Sequence, residues 1–262
     1  MRVASLGILL SAAGALPLSA QTDFYNTSRG RPLRVEDAYP VERYAAELAL
    51  APVRLEHADA GPLEVLLQPM LAYGILPRTE LELGAGFGIL DDGLGAHRRG
   101  VAGVEVGVLH TLASETRAHP AAALAGELLL PVGSLAPDAT FVTASAIATR
   151  TTRWGRVHLN TGYTLGPDDA PAAHLARWSA GLAVDRTWPL RSLLAAAEVT
   201  VEEPVGAGDL VWHAGTGVRW QWTPRVVVDG GVGRRFGSAG AWSFTLGLAY
   251  AFGVRGLIPV AR

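Results

Sequence analysis

The feature that most restricts what this chain can become is an alternation, with a period of two, between apolar residues and small or polar ones. It is cleanest in WSFTLGLAYAF at 242–252. Trp242, Phe244, Leu246, Leu248, Tyr250 and Phe252 make one face; Ser243, Thr245, Gly247, Ala249 and Ala251 make the other. Successive side chains of a strand point to opposite faces, so the stretch predicts a β-strand with one side in an apolar medium. Whether that medium is a soluble core or lipid decides most of what the chain can do.

Similar segments, separated by turn residues, are predicted at 43–56, 62–74, 79–90, 101–113, 121–131, 139–150, 155–165, 175–186, 192–202, 210–222, 226–236 and 242–253. In 155–165, Val157, Leu159, Thr161, Tyr163 and Leu165 oppose Arg156, His158, Asn160, Gly162 and Thr164. In 210–222, Trp212, Ala214, Val218, Trp220 and Trp222 oppose His213, Gly215, Gly217, Arg219 and Gln221. No comparable stretch has helical periodicity, which disfavours the α/β classes. Connections alternate between tight ones such as LPRT (76–79) and TPR (223–225) and longer Gly/Asp-rich ones such as DDGLGAHRRG (91–100). That is the rhythm of an up-and-down barrel with short turns at one end and loops at the other.

Tryptophan placement favours lipid. All 7 tryptophans fall at strand ends or in turns. Trp178, Trp212, Trp220, Trp222 and Trp242, with Tyr250 and Phe252, are the expected membrane-interface aromatics. They edge an aliphatic band whose height, for about ten tilted residues, is roughly 25 Å. A soluble core would place bulky rings centrally, where they bury the most area.

The first residues read as an export signal: Arg2, an apolar run from about Leu6 to Leu16, and small residues before Gln21. Beyond residue 20 no apolar run reaches the ~18 residues of a membrane helix. The expected organisation is a signal peptide at 1–20, an N-terminal periplasmic or plug segment at 21–42, a transmembrane barrel at 43–253 and a tail at 254–262. Charged residues make up only 18% of the chain and the formal net charge is −2, which gives no reason to expect nucleic acid. With 0 Cys, disulfides, zinc–thiolate sites and thiol nucleophiles are excluded.

The segments GRPLRVEDAYPVERYAAEL, LAYGILPRTELELG, GVAGVEVGVLHTL, VDRTWPLRSLL and WTPRVVVDGGVGRRF, with AWSFTLGLAYAFG, resemble a family of bacterial outer-membrane transporter-like barrels, the type described with the MetA pathway of phenol degradation. The resemblance runs over nearly the whole mature chain and rests on strand-and-turn patterns. It implies a twelve-stranded antiparallel barrel that passes small molecules, hydrophobic or aromatic ones among them, and it transfers no functional residues. Outer-membrane lipid, a small-molecule solute and the barrel-assembly machinery are the expected partners. The last residue is not the aromatic such machinery commonly reads, since VRGLIPVAR follows Phe252. Either Tyr250 and Phe252 supply an internal signal or the tail folds back.

Candidate functional residues lie on the polar faces. Glu47, Glu82, Glu105, Glu127, Arg156, His158, Arg177, Asp185, Glu198, Arg219, Asp229 and Arg235 are expected to line the lumen, as an ion-pair network filling it or as the selectivity lining of a wet path. Eight strands enclose a filled interior and sixteen or more an open channel, so twelve predict a constricted or plugged pore. GAGFG (84–88) is not read as a phosphate loop, because no helix follows it. His158 and Asn160 would suit a barrel hydrolase only with an activated nucleophile nearby, and nothing marks Ser145, Ser179 or Ser243 as one. No His/Asp/Glu spacing suggests a metal site, and no cofactor or catalytic residue is assigned. The leading reading is a passive outer-membrane channel; the alternatives are a structural barrel with a blocked lumen and an outer-membrane hydrolase centred on His158.

Overall fold

The computed structural model describes residues 24–58, 63–91, 97–168, 175–206, 208–237 and 240–254. The expected signal peptide (1–20), residues 21–23 and the tail beyond Val254 lie outside the described residues.

The strands are β1 (Ala45–Ala58), β2 (Leu63–Leu67), β3 (Met70–Leu76), β4 (Thr79–Asp91), β5 (His97–Ala113), β6 (Ala121–Leu130), β7 (Phe141–Thr152), β8 (Gly155–Leu165), β9 (Ala176–Thr187), β10 (Leu193–Pro204), β11 (Val211–Thr223), β12 (Val226–Phe236) and β13 (Ala241–Gly253). Each pairs antiparallel with its chain neighbour in one sheet, and β13 returns to β1, with Ala45 opposite Gly253 and Ala58 opposite Ala241. β2 and β3 both lie between β1 and β4, so together they form a single stave. The result is a closed twelve-stranded antiparallel barrel. Closure leaves no strand edge unpaired, the condition for a sheet to sit in lipid.

Two local features depart from the sequence expectation. The strand expected at 62–74 is broken after Leu67, where Pro69 has no N–H to give the ladder; its carbonyl instead accepts from Ala85 N at 3.2 Å. The strand expected at 43–56 carries a bulge at Leu50, with a register shift between Ala49 and Ala51. The extra residue reverses the parity beyond it, so Glu47 (opposite Ala251) and Arg54 (opposite Thr245) both face inward. A second irregularity, where β4 meets β5 between Ala85 and Phe87, is accommodated by Gly103 at φ 124°, a backbone that glycine adopts without strain.

The outer surface is aliphatic, with Leu246 61% and Leu165 60% exposed on it. Trp212 and Trp242 edge it at the end bearing the longer loops, where the Trp178 indole also donates to Glu203 Oε2 at 2.5 Å. Trp220, Trp222, Tyr250 and Phe252 edge it at the tight-turn end. There Trp220 stacks with Trp222 and Tyr250 with Phe252. A closed sheet with an apolar, aromatic-edged exterior belongs in an outer membrane, with the tight turns on the periplasmic side.

The interior is packed around a segment of the chain that belongs to no strand. Phe24 packs against Leu194, Val227 and Ala249; Leu33 and Val35 against Ala183; and Ala38 among Leu109, Ala121, Ala123 and Ile147.

Candidate functional site

Residues 24–44 form a loop inside the barrel. Pro32 and Pro40 deny this stretch a continuous ladder, and Gly30, at φ 82°, turns it. Both legs stand at the tight-turn end. Phe24 meets the starts of β10 and β12, and Tyr44 accepts from Val254 N at 2.8 Å. The legs are tied to each other: Asp37 N donates to Thr27 O at 3.1 Å and Thr27 N to Asp37 Oδ2 at 3.2 Å. The tip, residues 28–36, rises into the middle of the lumen. Glycines on the wall make room for it: a Cβ added at Gly181 would stand 2.6 Å from Val35 Cγ2, and one at Gly217 the same distance from Pro32.

The loop is a peptide without a ladder, so its buried main-chain groups need partners elsewhere, and wall side chains supply them. Glu198 accepts from Arg34 N and from Val35 N, each at 2.9 Å. Asn160 accepts from Glu36 N at 2.7 Å and donates to Glu36 O at 2.9 Å. Thr149 Oγ1 accepts from Ala38 N, Thr111 Oγ1 donates to Ala38 O, and Glu80 accepts from Val41 N. Thr245 Oγ1 donates to Pro32 O.

The twelve charged or ionisable positions named from sequence all lie on inward-facing registers, and they divide by what they meet. Glu127 pairs with Arg29 at 2.7 Å and Glu47 with Arg31 at 2.8 Å. Arg156 holds Asp185 at 2.6 Å and Asp37 of the loop at 3.2 Å. Burial pushes the Asp37 carboxyl up to about 6, against the pull of Arg156 and His158. Glu82 and Glu105 lie opposite Gly107 and Gly84 and flank Arg29. Arg219 is 1% exposed beside its cross-strand neighbour Asp229, whose carboxylate stands 3.8 Å from Arg31 Nε. Neither Asp229 oxygen has a hydrogen bond among the described residues, so this group is held by charge alone. At the loop end, Arg235 pairs with Glu56 at 2.8 Å, while Arg177 donates to Thr164 O and pairs with Asp168.

His158 is 1% exposed, with Nδ1 3.0 Å from Thr149 Oγ1 and Nε2 3.0 Å from Asp185 Oδ2. A Thr149 hydroxyl donating to Nδ1 leaves Nε2–H directed at Asp185. This row of hydroxyl, imidazole and carboxylate lies under Ala38 of the loop and serves to hold it.

Inward residues missing from the sequence-derived candidates include Arg54, Glu56, Glu80, Glu202 and His213, although His213 already stands on the polar face of its predicted strand. Glu80 and Glu202 share parity with Glu82 and Glu198, a signal the sequence holds. Arg54 and Glu56 were masked by the bulge. Beside the loop a cavity of about 780 Å³ is bordered by Glu36, Glu47, Glu80 and Glu82 and reaches the tight-turn rim at Arg78, Ser114 and Thr151.

No protein-family model and no curated protein matches the chain. Its structure is similar to that of the outer membrane channel from Pseudomonas putida F1, with a TM-score of 0.59 at 14% identity over 82% of this chain and 98% of that one. It is also similar to the KdgM porin in complex with disordered oligogalacturonate, with a TM-score of 0.55 at 11% identity over 79% and 98% of the two chains. The NanC porin follows, with a TM-score of 0.52 at 8% identity over 78% and 98%. At such identities the likeness is one of fold: an outer-membrane, porin-like twelve-stranded barrel.

Proposed function

We propose that the protein is a passive outer-membrane channel for small molecules, closed in this conformation by residues 24–44. The observation that carries this reading is how the lumen is filled. A barrel built only as a scaffold would be filled from its own wall by interdigitating side chains. Here the filling is a separate peptide that runs into the wall at Ala45, seated by polar contacts that water can replace and by small apolar contacts of Phe24, Leu33, Val35 and Ala38. A cavity of about 780 Å³ already runs beside it.

The resemblance to barrels of the phenol-degradation type would add hydrophobic or aromatic solutes to this reading. A lumen lined by carboxylates and guanidinium groups gives such solutes few partners, so polar solutes fit the wall better. The hydrolase alternative lacks support in the geometry: among the described residues the hydroxyl on His158, Thr149 Oγ1, is buried under the loop and already accepts from Ala38 N, so it is not free to act as a nucleophile.

Planar-bilayer recording of the purified full chain tests the proposal. Wild type should show brief, rare openings, and Gly217→Val, which pushes against Pro32, should open more often. A folded Gly217→Val barrel that passes neither current nor small solutes would refute the channel reading and favour a blocked structural barrel.

A further inference from the structure

The tip of the loop carries three arginines, and each rests on carboxylates of the wall. Arg29 Nη1 is 2.7 Å from Glu127, Arg31 Nη2 is 2.8 Å from Glu47, and Arg34 Nη1 is 3.3 Å from Glu202. These carboxylates stand on β6, β1 and β10, on different sides of the lumen. Three arginines of the wall are engaged elsewhere, Arg156 with Asp185 and Asp37, Arg177 with Asp168 and Arg235 with Glu56, while Arg219 stands beside Asp229 and Arg54 near Glu56, Glu198 and Glu202. Withdrawing the loop takes Arg29, Arg31 and Arg34 away together with Glu36 and Asp37, and because the inward acids of the wall outnumber its inward arginines, it leaves a lumen with excess negative charge.

The excess is greatest where β4, β5 and β6 run side by side. Glu82 and Glu127 flank Gly107 in one cross-strand row, and Glu105 stands in the next. Like charges this close in a medium of reduced dielectric repel one another, and a cation among them relieves the repulsion. Arg29 is that cation here, and its guanidinium also donates to Glu36 and Ser145. The cavity beside the loop runs from the tight-turn rim past Glu80 to Glu82, so a group entering from that end can reach this position along it.

We propose that the lumen admits organic cations, solutes carrying a guanidinium or a primary amine, which take the places Arg29, Arg31 and Arg34 hold in the closed conformation. This rests on the channel reading above and names its solute class. Exchanging one guanidinium for another keeps the charge-assisted hydrogen bonds to carboxylate and strands no buried charge. An anion at the same place adds repulsion, and a neutral solute leaves the carboxylates unpaired. Rings of acidic side chains give other pores their cation preference by the same physics.

The test uses the full chain and its Gly217→Val variant in planar bilayers under a KCl gradient, with liposome swelling in agmatine, erythritol and gluconate. The expected result is a potassium-over-chloride permeability ratio of at least about fivefold, with swelling fastest in agmatine and slowest in gluconate. Substituting Glu82→Gln, Glu105→Gln and Glu127→Gln together should bring the ratio close to one while current persists. Should the triple variant fail to show β-sheet circular dichroism, Glu105→Gln alone reads the same ratio, since Glu105 makes no hydrogen bond to the loop among the described residues. Current that is unselective or anion-selective, or a ratio that ignores these substitutions, overturns the cation proposal and leaves the channel standing. Absence of current in every folded variant overturns both.

Discussion

Glu198 is the wall residue whose loss should most directly loosen the loop. Its two oxygens accept from Arg34 N at 3.0 and 2.9 Å and from Val35 N at 2.9 Å, and the side chain is buried. Hydrogen bonds to a charged group contribute about 1.5–3 kcal/mol, roughly twice the neutral value. Glu198→Gln keeps the volume, removes the charge and turns an amide N–H₂ toward two N–H donors. The docked state should lose about 1–3 kcal/mol, which multiplies the undocked population by roughly 5- to 150-fold. A cysteine reports this cleanly, because the chain has 0 Cys of its own. Thr27→Cys places the thiol where a buried hydroxyl has no hydrogen-bond partner among the described residues, so the reporter costs the loop little. Its labelling by a charged, water-soluble maleimide should rise by that factor in the Glu198→Gln background. Thr200→Val is the control: it lies one pleat away on the same face, and its buried Oγ1 also has no partner. Equal labelling in wild type and Glu198→Gln, or an equal rise in Thr200→Val, would refute the view that Glu198 holds the loop by its main-chain donors.

Three further outcomes follow from the same geometry. Leu246→Arg, at a position 61% exposed in the middle of the lipid face, should destabilise the inserted barrel by about 2–4 kcal/mol, whereas Trp242→Arg at the interface should cost only about 0–1, as read by urea unfolding in lipid. Gly181→Val should expel Val35 and raise labelling at Thr27→Cys, with β-sheet circular dichroism unchanged. The docked Asp37 carboxyl, raised to about 6, binds a proton that the undocked one releases, so its contribution to docking is fullest at low pH and is lost as pH rises through about 6. Labelling at Thr27→Cys, normalised for the thiolate fraction at each pH, should therefore increase as pH rises from the ordinary carboxylate value of 3.8 up to about 6 and level off above it, and Asp37→Asn should flatten the change.

Much of the wall was legible because the two-residue period is enforced by media that differ on the two sides. From β6 to β13 the inward and outward faces follow parity except for register shifts at strand ends (Glu203/Pro204 and Gln221/Thr223), so Glu127, Arg156, Glu198 and Arg219 could be placed from the string alone. Parity fails at a bulge, and the one at Leu50 is hinted at only by Pro52 two residues on; Arg54 and Glu56 were lost with it. Pro69 was visible in the sequence, but only the structure shows that the break stays within one stave. The loop's composition marked it as non-strand. Its partners were beyond reach, because Arg34 meets Glu198 at a separation of 164 residues and nothing in either neighbourhood encodes the other.

Those separations also order assembly in time. Every strand that gives the loop a partner follows it in the chain, and Pro32 meets Thr245 across 213 residues. The seat is complete only when β13 has met β1, so the loop settles after the seam is shut. Contacts of such high contact order form late, after loop-closure entropy has been overcome. A seated loop is then a certificate of a finished barrel, and a newly closed one passes through a vacant state before it seals itself.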